Sequence, residues 1–114
     1  MGKLVEEFNS YRTRMNERIM ETADTNIKRF FALDTTSYTA GALDVKTKEM
    51  LGLVASMVLR CDDCIKYHIE KCHQVGLTQA ELNEVFMIAN LVGGSIVIPH
   101  YRRAQEFWDD LENG

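Results

Sequence analysis

Proline is almost absent from this 114-residue chain, with Pro99 the single example. No proline therefore interrupts a helical pattern until close to the C-terminal end. Basic clusters are also missing. The formal net charge is -4, with both signs mixed along the chain, so the electrostatic footprint of a nucleic-acid partner is absent. The longest weakly polar stretch, Val85 to Pro99, falls short of the roughly 20 apolar residues that cross a bilayer. No membrane partner is expected, and this stretch belongs to a core or an interface. Cysteine is scarce, odd in number and crowded: all 3 lie between positions 61 and 72. A secreted scaffold spreads an even set along its length, so a reducing, cytoplasmic setting is the expectation. Lys3, Glu6 and Glu7 stand where a signal peptide is apolar, and Glu6 occupies the Ser/Thr position of a myristoylation motif.

What is present is helical. Hydrophobic residues make up 46% and charged ones 26%, a globular composition long enough for one domain spanning 1–114. Leu4, Phe8, Tyr11, Met15, Ile19 and Met20 recur at spacings of three and four, predicting a first amphipathic helix. Asp24 or Thr25 caps a short second helix over 26–32, and the Thr/Ser/Gly-rich stretch 34–43 reads as a connector with room for one helical turn. Asp44 caps a third helix that runs to about Leu59, apolar nearly all round and so expected at the centre. After a break at 60–63, a fourth helix carries Cys64, Ile65, His68, Ile69 and Cys72 and ends at Gly76. Thr78 with Glu81 forms a capping box for a fifth. Gly93 and Gly94 interrupt it, permitting a sharp turn or close helix approach, and a last helix starts near Pro99 and passes Trp108 and Leu111. The chain is expected to be all-α, with about six helices.

The stretch CDDCIKYH at 61–68 carries the chemistry. Placed on one helix face, Cys61, Cys64, His68 and Cys72 imitate a metal-ligand set. A helix rises 1.5 Å per residue, so Cys61 and Cys72 would be roughly 16 Å apart, too far for one ion. Zinc–ligand bonds are only about 2.0 to 2.3 Å. Residues three apart on a helix do lie within disulfide reach. Cys61 and Cys64 are thus expected to form a reversible disulfide while Cys72 packs in the core, still reduced. A first-turn cysteine gains thiolate stability from the helix dipole, and His68 one turn on can accept or return a proton. Asp62 and Asp63 oppose that gain. On these residues alone, a redox pair and two buried thiols both stay open.

Glu49, twelve residues before Cys61, completes a pattern. The stretch KTKEMLGLVASMVLRCDDCIKYH resembles the active-site motif of the alkylhydroperoxidase (AhpD-like) proteins of the carboxymuconolactone decarboxylase family. The similarity spans about residues 40–108, the motif-bearing core, and matches the N-terminal helical segment 1–35 only loosely. The resemblance implies an AhpD-like helical bundle completed by oligomerisation, as a homo-oligomeric trimer or hexamer. It implies no cofactor and no metal. It implies reduction of a small peroxide, with a dithiol reductant or small redox protein as partner. By analogy Cys64 attacks the peroxide, Cys61 resolves, and His68 with Glu49 relays the proton. The best-studied relatives have a histidine between the cysteines, where this chain has Asp62 and Asp63. They are also longer, with two related halves.

Other founding members of the family are decarboxylases without a cysteine pair. A cofactor-free decarboxylase or isomerase acting on a small lactone or keto acid, with His68 or His100 as acid–base, is therefore a rival function. A non-catalytic redox-sensing helical module is another. His100, after Pro99, and Tyr67, beside His68, are packing residues or pocket-lining ones. Arg102 and Arg103 with Glu106 read as a salt-bridged face.

Overall fold

Six helices make up the described residues, 2–114, of the computed structural model: α1 (Lys3–Thr22), α2 (Thr25–Ser37), α3 (Val45–Val58), α4 (Asp62–Gln74), α5 (Gln79–Gly93) and α6 (Ile98–Asn113). A 3₁₀ turn at Ser95–Val97 leads into α6. Among the described residues there is no strand.

Local chemistry sets the boundaries. Asp24 accepts from the Ile27 N–H at 2.9 Å and Asp44 from the Thr47 N–H at 2.7 Å. Thr78 and Glu81 exchange both bonds of the capping box. Each such cap is worth about 1 kcal/mol. At the far end of α4, Gly76 takes a φ of 86°. The Leu77 N–H then reaches the Cys72 carbonyl at 3.0 Å and the Gly76 N–H that of His73 at 3.1 Å, a Schellman closure. Helix α3 closes the same way on Arg60, at φ 60°, where a side chain costs roughly 1 to 2 kcal/mol. The Cys61 N–H bonds the Ser56 carbonyl at 3.1 Å. Only Leu59, Arg60 and Cys61 separate α3 from α4, so the two helices fold back as a tight antiparallel pair.

Helix α3 packs on α4 and α5, α4 also packs on α6, and α1 lies on α6. Leu53, Met57, Ile65, Ile69, Phe86, Phe107 and Trp108 are the large buried side chains between them. Val5 anchors α1, its N–H donating to Asp110 at 2.9 Å, and the Phe8 ring meets Phe107 edge-on at 5.7 Å. The Asn9 amide donates to both oxygens of Glu70 at 2.9 and 3.1 Å, tying α1 across to α4.

Two expectations need correction. Helix α2 runs on past Ala32 to Ser37, so the first four residues of the anticipated connector continue it. Thr35 and Ser37 bond back to the carbonyls of Phe31 and Leu33 at 3.2 and 2.7 Å, so polar residues that favour turns are here absorbed by the helix. Helix α3 is not buried all round: Leu51 is exposed while Leu53 and Met57 are fully covered. The apolar stretch from Val85 supplies the core with Val85, Phe86, Ala89 and Val97 and leaves Met87, Ile88, Leu91 and Val92 exposed. No described helix is long and apolar enough to cross a membrane.

Candidate active site

Helix α4 begins at the cysteine pair. Cys61 is its N-cap, not a residue of its face as the helical spacing implied, and its sulfur accepts the Cys64 N–H at 3.3 Å. The two cysteines are joined in a disulfide with Cα atoms 5.3 Å apart. An N-capping sulfur sits where the helix dipole and unpaired N–H groups favour negative charge. Cys72 is free and fully buried, and burial with the nearby Glu49 charge pushes its thiol up to about 12. At that value it is neither nucleophile nor ready disulfide partner.

His68 follows Cys64 by one turn. Its Nδ1 lies 2.8 Å from Glu49 Oε1, brought across from α3 by the antiparallel pairing. Both side chains are nearly closed to solvent, at 10% and 5% exposure. With a carboxylate on Nδ1, that nitrogen carries the proton and the neutral ring offers Nε2 as its acceptor. Tyr38, the residue capping the C-terminus of α2, places its hydroxyl 3.4 Å from Nε2. Burial and the Glu49 charge raise the Tyr38 phenol above its ordinary value, which keeps it an O–H donor.

A cleft of about 340 Å³ opens onto this arrangement. Helix α1 supplies Phe8, Tyr11, Arg12, Met15 and Asn16, α2 supplies Asp34, and α4 supplies Asp63, Cys64, Tyr67 and His68. Tyr67 meets His68 edge-on at 5.2 Å, with the Arg12 guanidinium 4.3 Å above its ring. Burial, partly offset by Arg12, raises the Tyr67 phenol.

Cys61, Cys64, His68, Glu49 and Tyr67 thus come together. His100 does not join them. Its Nδ1 is 2.8 Å from Asp62, and Arg103 holds the other Asp62 oxygen at 3.2 Å. Arg103 therefore pairs with α4 rather than with Glu106. Burial pushes the Asp62 carboxyl up, but the bonds from His100 and Arg103 outweigh it and leave the group below its ordinary value. Asp62 is thereby turned toward α6, and only Asp63 of the two acids lines the cleft. Among the described residues no three His, Cys, Asp or Glu side chains converge to hold a metal ion.

Sequence reasoning missed Tyr38, hidden in a stretch taken for a connector, and Gly52, one residue in an apolar helix. A Cβ on Gly52 would lie 2.6 Å from His68 Cε1 and 2.8 Å from the Tyr38 hydroxyl. The Gly52→Ala variant gains helix propensity of up to about 1 kcal/mol but displaces the imidazole. Any turnover that relies on His68 is expected to fall about 100-fold, with melting temperature moving far less. Parallel activity and thermal melts check this.

The described residues form an all-helical bundle that presents a disulfide at a helix N-terminus, with a carboxylate-backed histidine one turn away. The model of the carboxymuconolactone decarboxylase family matches residues 26–106, and the chain belongs to that family. It is similar to TM1620 of Thermotoga maritima, at 52% identity and TM-score 0.92, with 95% of both chains covered. A second crystal structure of TM1620, at TM-score 0.89, covers 94% of this chain and 91% of its own; a role in the antioxidative response has been raised for that protein. Apo-lpg0406, a family member from Legionella pneumophila, shares the fold at 23% identity and TM-score 0.84, over 92% of this chain and 94% of its own. Uncharacterized protein 4 in the cox locus of Paracoccus denitrificans is 25% identical over 83 residues, 73% of this chain and 75% of that protein.

Proposed function

We propose that the chain is a thiol-dependent peroxidase of the alkylhydroperoxidase type, a dithiol–disulfide oxidoreductase in its broader description. The observation that carries this reading is the Cys61–Cys64 disulfide, opening on a cleft whose wall holds His68 backed by Glu49. In the reduced protein the Cys64 thiol gives its proton to His68 Nε2, and the thiolate attacks the terminal oxygen of a hydroperoxide. The O–O bond breaks, Cys64 becomes a sulfenic acid, and the departing alkoxide leaves as an alcohol with the proton from His68. Cys61 then attacks the sulfenic sulfur. The S–S bond forms and the hydroxyl leaves as water, taking the Cys61 proton. A dithiol, free or carried by a small redox protein, reopens the bond and is itself oxidised to a disulfide.

The apolar wall of Phe8, Tyr11 and Met15 suits the organic part of a small alkyl hydroperoxide, and the antioxidative role raised for TM1620 points the same way. The test is hydroperoxide consumption with excess dithiol, before and after alkylation of the reduced protein. The expected result is turnover that alkylation abolishes. The buried His68–Glu49 pair is also an acid–base unit, as a cofactor-free decarboxylase or isomerase needs. Lactone or keto-acid turnover that survives alkylation would replace the peroxidase reading with that one.

The chain is also proposed to assemble with copies of itself, as a trimer or hexamer. Met87, Ile88, Leu91 and Val92 share one exposed face of α5, with Leu91 72% exposed, and Ile96 and Ile98 continue it. A contiguous apolar face of this kind marks an interface. Light scattering at micromolar concentration is expected to give a multiple of the chain mass, and Leu91→Glu to lower it. A wild-type monomer would overturn this.

A further inference from the structure

Tyr38 is fixed with more care than a loop residue needs. The Lys48 ammonium, next in α3 to Glu49, donates to the carbonyls of both Ser37 and Thr39 at 2.8 and 2.7 Å. It thereby neutralises the C-terminal end of α2 and clamps the backbone on either side of Tyr38. Gly52 leaves the space that the phenol and the imidazole share. The Tyr38 ring lies against His68 with centroids 5.2 Å apart, and its hydroxyl points at Nε2. That is the nitrogen which the peroxidase reading assigns to the Cys64 proton, and in this structure Cys64 is already tied to Cys61.

Resting on that reading, we propose that Tyr38 is a positioning residue for the disulfide form, its O–H holding His68 Nε2 while no thiol is available to do so. At 3.4 Å the bond is long for O–H···N, so it keeps the ring in place yet yields to a better-placed thiol. The need arises in the reductive half of the cycle. Cys64 is the more exposed of the two cysteines and the one that lines the cleft, so an incoming dithiol attacks there. Its thiol proton passes to His68 Nε2, the S–S bond breaks, and Cys61 leaves as a thiolate stabilised at the N-terminus of α4. The second thiol of the donor then attacks the mixed disulfide. Cys64 is released and takes the proton from His68, while the proton of that second thiol goes to Cys61. The first of these steps requires an imidazole already turned toward the disulfide, and Tyr38 with its Lys48 clamp supplies that orientation.

Tyr38→Phe keeps the ring and removes only the donor. The two half-reactions are measured separately by rapid mixing: peroxide against reduced protein, and dithiothreitol against the disulfide form, each quenched by alkylation and read by mass. The expected result is a reduction step slowed roughly fivefold to tenfold, the kinetic weight of one hydrogen bond, with the oxidation step unchanged. Nitrogen-15 spectra of the histidine side chains should show the His68 Nε2 resonance moving in the disulfide form of the variant and staying put in its reduced form. Lys48→Met, which frees the clamp and leaves the hydroxyl, should slow the same step. Equal slowing of both steps, or of neither, would overturn the assignment to Tyr38. A wild-type protein that peroxide does not oxidise would instead overturn the peroxidase reading itself.

Discussion

Cys64→Ser is expected to remove hydroperoxide turnover entirely, and Cys61→Ser to remove turnover while preserving a single oxidation. The two residues share a disulfide but differ in surroundings. Cys64 lines the same cleft as His68, one helical turn before it. A serine hydroxyl there is both a far weaker acid and a poorer nucleophile toward oxygen than a thiolate. Cys61 caps α4 from the other side of the bond, and its sulfur is needed only to close the disulfide. Without it, Cys64 reaches the sulfenic acid and stops, or goes on to the sulfinic acid with excess peroxide. For Cys61→Ser the expected result is loss of one peroxide per chain with a gain of one oxygen on the peptide bearing Cys64, or of two peroxides with a gain of two oxygens when peroxide is in excess. Wild-type turnover by Cys64→Ser would end the peroxidase reading.

Much of this geometry was legible because it depends on spacing within single helices. Asp24, Asp44 and the Thr78–Glu81 box mark helix starts by chemistry that needs no tertiary context. The contact between Glu49 and His68 could be anticipated once a short turn near Arg60 was assumed, since a tight pair of helices brings such positions opposite each other. What could not be read was how separate segments meet. Tyr38 reaches His68 only because Thr35 and Ser37 turn their hydroxyls inward on α2 and Lys48 clamps its end. The first helix showed an apolar stripe in Phe8, Tyr11 and Met15, but not that it forms a cleft wall facing α4. His100 was placed by contacts between helices: Asp62 holds it, with Arg103, on the side of α4 away from the cleft. The apolar pattern of α3 overestimated its burial, since periodicity finds apolar faces without saying whether this chain covers them.

Glu49→Gln separates chemistry from packing at the buried pair. The amide keeps the shape of the carboxylate and a hydrogen bond to Nδ1, so folding should hold. Removing a charge from a site that is 4% exposed also relieves its desolvation. The charge is what makes His68 an effective acceptor: it fixes the proton on Nδ1 and stabilises the imidazolium formed when Nε2 is protonated. An amide that turns its NH₂ to Nδ1 selects the opposite tautomer and points an N–H at Cys64, where a lone pair is required. Turnover is therefore expected to fall about 100-fold to 10,000-fold, the span of general acid–base assistance, with little change in melting temperature. Glu49→Ala should lower both, because a buried imidazole N–H left without a partner costs roughly 1 to 3 kcal/mol of stability. Steady-state peroxide consumption and thermal melts on both variants make the measurement. If Glu49→Gln keeps full turnover while Glu49→Ala loses only stability, the pair is a packing device and His68 must act without a charged partner.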